Sequence, residues 1–328
     1  MHHRIKATSF GTSALAGDSP AAPQWPSYTG TSQFVGTSPS GRVTIYVDPT
    51  LGDQGLQNAE DLLNDADRVV NANDTLFGTT GGPVSVIVFA LGGATDGIGG
   101  ADHMGCDYTT GPNIEVCASF GNSARVSALF EAELSECSMN GNLCGLSTGE
   151  ALSRWCASVV SNNALADFAT APQWAQDGTP DFVNQTDQTD RSADSTGCGM
   201  AFLSWLMSLG YGLDKITPAM VSLGDAGTLA QLYANLASDT AANAWPNFQA
   251  AIQNLPNGVT NDDPFGAVPQ AMEMIRTALP PRGVAASGKK EVAGVRAAAA
   301  CSPKSRRLLP PKAYQNERRP GDGPVAVK

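Results

Sequence analysis

Residues 125–139 read Arg-Val-Ser-Ala-Leu-Phe-Glu-Ala-Glu-Leu-Ser-Glu-Cys-Ser-Met. Val126, Leu129, Phe130 and Cys137 recur at helical spacing and gather on one stripe of a helix that turns about 100° per residue. Glu133 falls inside that stripe, Glu136 at its edge and Glu131 on the opposite face. A carboxylate on a core-facing stripe needs a partner, a metal ion or a proton. Glu136, three residues on, stands beside Glu133 on the same helix. The alternative is that both carboxylates line a helix edge and are satisfied by water or backbone.

Upstream, residues 42–48 alternate and are β-branched, which predicts a strand. Leu56, Ala59, Leu63, Ala66 and Val70 recur at spacings of three and four, predicting a helix over 54–73. The continuous apolar run 84–91 predicts a central strand. A Gly-rich segment, 92–100, follows it. This segment is not a dinucleotide fingerprint, because no helix opens directly after the strand. Instead a hairpin is expected, with Gly111-Pro112 in its turn and its return strand over 114–118. Downstream, helices are expected over 148–160, 199–209, 228–236 and 247–253. The order is that of an α+β fold, a small mixed sheet followed by a mainly helical half.

Three segments are expected. Residues 1–41, rich in Gly, Ser, Thr and Pro, read as an irregular arm that packs on the surface through Trp25, Tyr28 and Phe34. Residues 42–280 read as a single domain. Residues 281–328, rich in Pro, Lys, Arg and Ala, read as a disordered basic tail.

Composition narrows the function classes. At 42% hydrophobic residues the 328-residue chain is not wholly disordered. Its longest apolar run, 84–91, is far short of the roughly 20 residues of a membrane-spanning helix. Eleven of its 20 Lys and Arg, but only three of its 31 Asp and Glu, lie from Pro281 onward. The first 280 residues therefore carry a net charge of −19 and the tail +8. So acidic a body repels nucleic-acid phosphates and anionic lipid, leaving a small molecule or another polymer as the expected substrate. Of three histidines, His2 and His3 sit at the start, and only His103 lies within the body. Mechanisms that need two body histidines are excluded. Oligomeric state is not legible.

Six of the seven cysteines fall in the body, and none forms a C-x-x-C pair. A structural zinc site or a thioredoxin-like motif is therefore not expected. The spacings suggest one set of disulfides among the 15 that six cysteines allow, namely Cys106–Cys117, Cys137–Cys144 and Cys156–Cys198. Such a set implies a secreted or periplasmic protein. Six buried thiols are the alternative. No apolar stretch follows Met1–Ile5, so an exported form is expected to have lost its signal peptide.

Gly145-Leu-Ser-Thr-Gly149 matches the G-x-S-x-G pattern of serine hydrolases. The residues before it are polar loop rather than an apolar strand. A capping box, with Ser147 as N-cap and Glu150 reaching back, is the competing reading. A triad on Ser147 would need His103 as its base, with Asp102, Asp107 or another aspartate as the acid.

The order strand, helix, strand, edge hairpin, then a helix with paired polar residues and a second helix opening Gly149-Glu150, resembles the zincin metallopeptidases. The likeness is to gluzincins, with some similarity to plant and bacterial basic secretory proteases. It spans about residues 42–253 and includes Ser195-Thr-Gly-Cys-Gly-Met-Ala-Phe-Leu-Ser-Trp-Leu206 with Tyr211. Ala132-Glu-Leu-Ser-Glu136 lies where the family has H-E-x-x-H, with Ala132 in place of the first histidine. The resemblance implies Glu133 as general base, Glu136 as second metal ligand and Glu150 as third. His103, from the hairpin, would supply one nitrogen. This oxygen-rich set suits zinc poorly and a harder ion, calcium or manganese, better. Asp187, Asp190 and Asp194 do not match an EF-hand and are read as solvated.

Three functions follow as expectations. The first is a secreted zincin-like hydrolase of ester, amide or peptide bonds with an altered, carboxylate-based metal site. The second is a serine esterase using Ser147 and His103. The third is a non-catalytic zincin-like protein that binds a polymer or partner in its cleft.

Overall fold

The computed structural model describes residues 23–109 and 112–278. The expected basic tail lies outside the described residues, as does Cys301. Among the described residues the chain forms five strands and nine α-helices. In chain order they are β1 (Gln33–Thr37), β2 (Val43–Val47), α1 (Gly52–Phe77), β3 (Val84–Phe89), β4 (Ala101–His103), β5 (Asn113–Cys117), α2 (Ser123–Ser138), α3 (Ser147–Val160), α4 (Ala171–Gln176), α5 (Ala193–Ser208), α6 (Leu213–Leu223), α7 (Leu229–Leu236), α8 (Ala244–Gln253) and α9 (Val268–Ala278). The class is α+β, a small mixed sheet leading into a helical half.

The sheet runs β1-β2-β3-β5-β4. Its three central strands are parallel, and each edge strand is antiparallel to its neighbour. Val43, Ile45, Val86, Val88, Ile114 and Val116 are all fully buried and face the helices. A strand pair buried on both faces reads as a near-continuous apolar run, which is why 84–91 was legible. Tyr46, Ile87 and Phe89 face the other way and form a second, smaller core with Trp25, Tyr28 and Phe34. The Trp25 and Phe34 rings meet Tyr46 edge-on at 5.4 and 5.8 Å.

The segment 23–32 is held there by more than aromatic packing. Glu115, fully buried beside Ile87 in the sheet register, accepts the Ser27 N–H (2.9 Å), the Ser27 hydroxyl (2.6 Å) and the Tyr28 N–H (2.5 Å). Within the stretch expected to be irregular, residues 33–37 form the edge strand β1.

The disulfides differ from expectation. The cystine is Cys106–Cys144, while Cys117, Cys137, Cys156 and Cys198 are buried thiols. The hairpin register explains why Cys106 does not meet Cys117. Ala101 faces Val116, and the Cys117 N–H donates to Gly100 O (2.9 Å), so Cys106 lies well past the end of the ladder. Cys137 points into the core, its thiol donating to Gly105 O (3.6 Å), which leaves Cys144 to Cys106.

Candidate functional site

A cleft of about 330 Å³ opens where β4 meets α2 and α3. From β4 come Asp102 and His103, from α2 Glu133 and Glu136, and from α3 Glu150 and Arg154. Leu165 and Phe168 form an apolar wall, and Asp190 and Arg191 lie at the rim. The cleft thus gathers His103, Glu133, Glu136 and Glu150.

The position of each follows from local structure. Asn122 caps α2 by accepting the Arg125 N–H (3.3 Å). The helix then runs between α1, α3 and β5 and is buried almost all the way round. The single-stripe expectation fails for that reason, since it presumes one solvent-facing side. Glu131, expected on the far face, has no exposed surface, while Glu133 keeps 15% of its side chain exposed at the cleft. Glu131 instead joins a polar seam between α1 and α2. Ser135 Oγ lies 3.3 Å from both Glu131 Oε1 and Asn73 Oδ1, and Asn73 Nδ2 donates to Ser138 Oγ (2.6 Å). Burial holds the Glu131 carboxyl well above its usual range, against the Ser135 hydrogen bond and the Arg68 charge.

His103 is held at both ring nitrogens. Nδ1 lies 3.0 Å from Gly105 O and Nε2 lies 2.9 Å from Glu136 Oε2, with Glu133 Oε2 at 4.0 Å. The other Glu136 oxygen accepts the Ser153 hydroxyl (3.2 Å). Burial acts to lower the His103 pKa, but the hydrogen bond and charge of Glu136 and the Gly105 carbonyl outweigh it and raise the pKa. Burial, with the charges of Glu136 and Glu150, pushes Glu133 well above the usual carboxylate range. Burial and Glu136 push Glu150 up to about 8, against the pull of Arg154 at 3.9 Å. The cleft therefore holds His103 hydrogen-bonded to Glu136 at 2.9 Å, beside Glu133 and Glu150, whose carboxyls are both raised.

Arg154, which the sequence did not single out, is the cleft's anchor. Its guanidinium donates to Phe168 O and lies 3.4 Å from Asp262, whose other oxygen accepts the Thr170 and Ala171 N–H groups (2.8 and 2.7 Å). Helix α3 is thereby tied to the wall that carries Phe168. Asp262 lies 108 residues from Arg154, a pairing with no local signal.

Ser147 lies outside the cleft lining. It is the first residue of α3, is buried, and its hydroxyl accepts the Asp187 N–H (3.3 Å). No capping box forms there, because Leu146 is the capping residue and Glu150 turns into the cleft. Among the described residues a capping box forms at Thr228 and Gln231, opening α7. Gly149 is explained by packing, since a Cβ there would strike the Leu143 carbonyl oxygen. Both nitrogens of His103 are engaged elsewhere, so Ser147 and His103 are not joined as a serine triad requires. The three aspartates expected to be solvated make separate contacts. Asp187 accepts the Ser195 hydroxyl (3.1 Å), Asp190 lies 3.7 Å from Arg191, and Asp194 opens α5.

A catalytic zinc ion takes three protein ligands and a water in a tetrahedral set, two of the three being histidines in the His2Glu arrangement. The cleft offers a single nitrogen, and that atom is hydrogen-bonded to Glu136, the carboxylate that would be its co-ligand. Among the described residues no three His, Cys, Asp or Glu side chains are grouped to hold a metal ion. The donor set as arranged does not fit the zinc of the zincin family. No protein-family model, curated protein or solved structure matches the chain.

Proposed function

We propose that the chain is a hydrolase of ester, amide or peptide bonds that works through the carboxyl groups of the β4–α2–α3 cleft. One observation carries the reading. His103 Nε2 lies 2.9 Å from Glu136 and 4.0 Å from Glu133, so an imidazole and two carboxyls, that of Glu133 pushed well above its usual range, share one small cleft. Two titratable groups whose environments push them apart are the signature of an acid and a base.

In this reading Glu136, oriented by His103 and Ser153, takes a proton from water as the water oxygen adds to the substrate carbonyl carbon. Glu133 gives its proton to the departing oxygen or nitrogen. Proton transfer from Glu136 to Glu133, one helical turn apart, restores the starting state. The Cys106–Cys144 cystine supports a secreted or periplasmic setting, and among the described residues no helix is long and apolar enough to cross a membrane. A zincin-like descent with an altered site accounts for the carboxylates at 133, 136 and 150.

The test is a panel of ester, amide and peptide substrates, with metal content measured by plasma mass spectrometry after metal-free dialysis. Hydrolysis by metal-free protein, lost in Glu136→Gln and kept in Ser147→Ala, supports the proposal. One equivalent of calcium or manganese, lost in Glu136→Ala, would replace it with a carboxylate-held ion. Absence of hydrolysis by folded protein would leave a binding cleft.

A further inference from the structure

β4 is three residues long, and its ladder ends at His103 opposite Ile114, with one more bond from the Met104 N–H to Asn113 O (2.9 Å). Beyond it the chain is secured by the cystine Cys106–Cys144, which joins it to the α2–α3 connection. Both ends of this tie are fixed. The Gly141 N–H donates to Cys106 O (2.8 Å), and the Leu143 N–H donates to Asp225 (2.7 Å). Gly105, immediately before the cystine, is buried. Its carbonyl oxygen meets His103 Nδ1 at 3.0 Å and the Cys137 thiol at 3.6 Å. A proton on Nδ1 turned to that carbonyl fixes the ring plane and leaves Nε2 facing Glu136.

We propose that the Cys106–Cys144 cystine is the positioning device of His103, holding the Gly105 carbonyl against Nδ1 so that the cleft is assembled in the oxidised protein and loosened on reduction. The proposal rests on His103 serving in the cleft as described above. Both half-cystines are partly exposed, whereas the other described cysteines are buried. A dithiol reductant therefore has access to this bond. It gives up two electrons and two protons, closes to its own disulfide, and leaves two thiols at Cys106 and Cys144.

The experiment treats folded protein with dithiothreitol and then follows two reactions by mass spectrometry, alkylation of each cysteine and carbethoxylation of His103 by diethyl pyrocarbonate. His103 is the sole histidine after His3, so its peptide reports alone. Cys106 and Cys144 are expected to become alkylated while Cys117, Cys156 and Cys198 stay protected. The His103 rate is expected to rise about tenfold, the worth of one lost hydrogen bond. The Cys106→Ala/Cys144→Ala double variant, without reductant, is expected to show the same rise. An unchanged His103 rate after both cysteines are alkylated would overturn the proposal. So would simultaneous reaction of the buried cysteines, which would make the cystine a staple of the whole fold. Hydrolysis is assayed separately. A freed His103 in a protein that hydrolyses nothing keeps the positioning role and removes the hydrolase reading.

Discussion

Glu131 Oε1 and Ser135 Oγ lie 3.3 Å apart on one turn of α2, and the second Glu131 oxygen, also buried, has no hydrogen-bond partner among the described residues. The side chain is sealed in the seam with α1, so its negative charge is costly and burial holds its carboxyl well above the usual range. The unfolded chain releases the carboxyl proton near the ordinary carboxylate range. A folded-state pKa raised in this way supplies stability in full below the unfolded value and loses it as pH rises towards the folded one. Glu131→Gln keeps the shape without the charge. We expect it to be more stable than the parent at pH 7 by on the order of 1 to 2 kcal/mol, with the gap closing below pH 4.5. Urea denaturation at the two pH values measures this, and an equal difference at both would refute it.

In the cleft, loss of an acid or base group has a different signature. Glu133→Gln and Glu136→Gln are each expected to lower kcat by about 10²- to 10⁴-fold, with KM little changed. Ser147→Ala, whose hydroxyl faces the Asp187 backbone, is expected to keep kcat. A serine-directed phosphonate should not inactivate the parent. Inactivation by it, together with loss of activity in Ser147→Ala, would return the mechanism to Ser147.

Glu150 gives the alkaline behaviour. Its carboxyl is raised to about 8, so ionisation there adds a negative charge beside Glu136 as pH passes through that value. By the same sign rule, the folded protein loses stability between the unfolded pKa of Glu150 and about pH 8, and no further contribution is lost above it. Its side chain is 29% exposed, so solvent screens part of the effect. Glu150→Gln is expected to flatten the fall in stability between pH 5 and 9 by about 1 kcal/mol. Thermal unfolding across that range checks it, and parallel curves for parent and variant would count against a raised Glu150.

Asp262 holds three groups at once, the Thr170 and Ala171 N–H groups and Arg154. Asp262→Ala strands the two N–H groups and takes a carboxylate from Arg154, which keeps Phe168 O and Glu150, in a mostly buried site. A loss of about 3 kcal/mol is expected, as for a buried ion pair broken from one side. Asp262→Asn, which keeps acceptor geometry for the backbone, should lose less. Equal loss in the two variants would assign the effect to the ion pair alone.

What could be read from the chain divides along physical lines. β2, β3, β5, α1, α2 and α3 were legible because burial imposes a period, either continuous apolar runs or spacings of three and four. β1 was not, because Gln33-Phe-Val-Gly-Thr37 is a short, half-exposed edge in a Gly- and Ser-rich stretch. α4 is six residues with a proline in its first turn, and α6 carries Pro218 inside, so both look broken in sequence. Of the cleft, His103 was singled out by scarcity, Glu133 and Glu136 by their place on one helix stripe, and Glu150 by the resemblance to the gluzincins. Arg154 and Asp262 were not, because their meeting depends on packing across 108 residues. The same limit misassigned Glu131, since periodicity within one helix cannot reveal that neighbours close over its outer side.

The three hydrogen bonds that Ser27 and Tyr28 donate to Glu115 bear on how the protein is to be handled. A recombinant form that starts at the first regular central strand, at Val43, would appear sensible from a domain map. It would strip the sheet's outer face, removing the three donors of Glu115 and leaving Tyr46, Ile87 and Phe89 open to water. A form that keeps this face closed retains Trp25, Ser27, Tyr28 and Phe34, and tags or fusion partners belong upstream of Trp25.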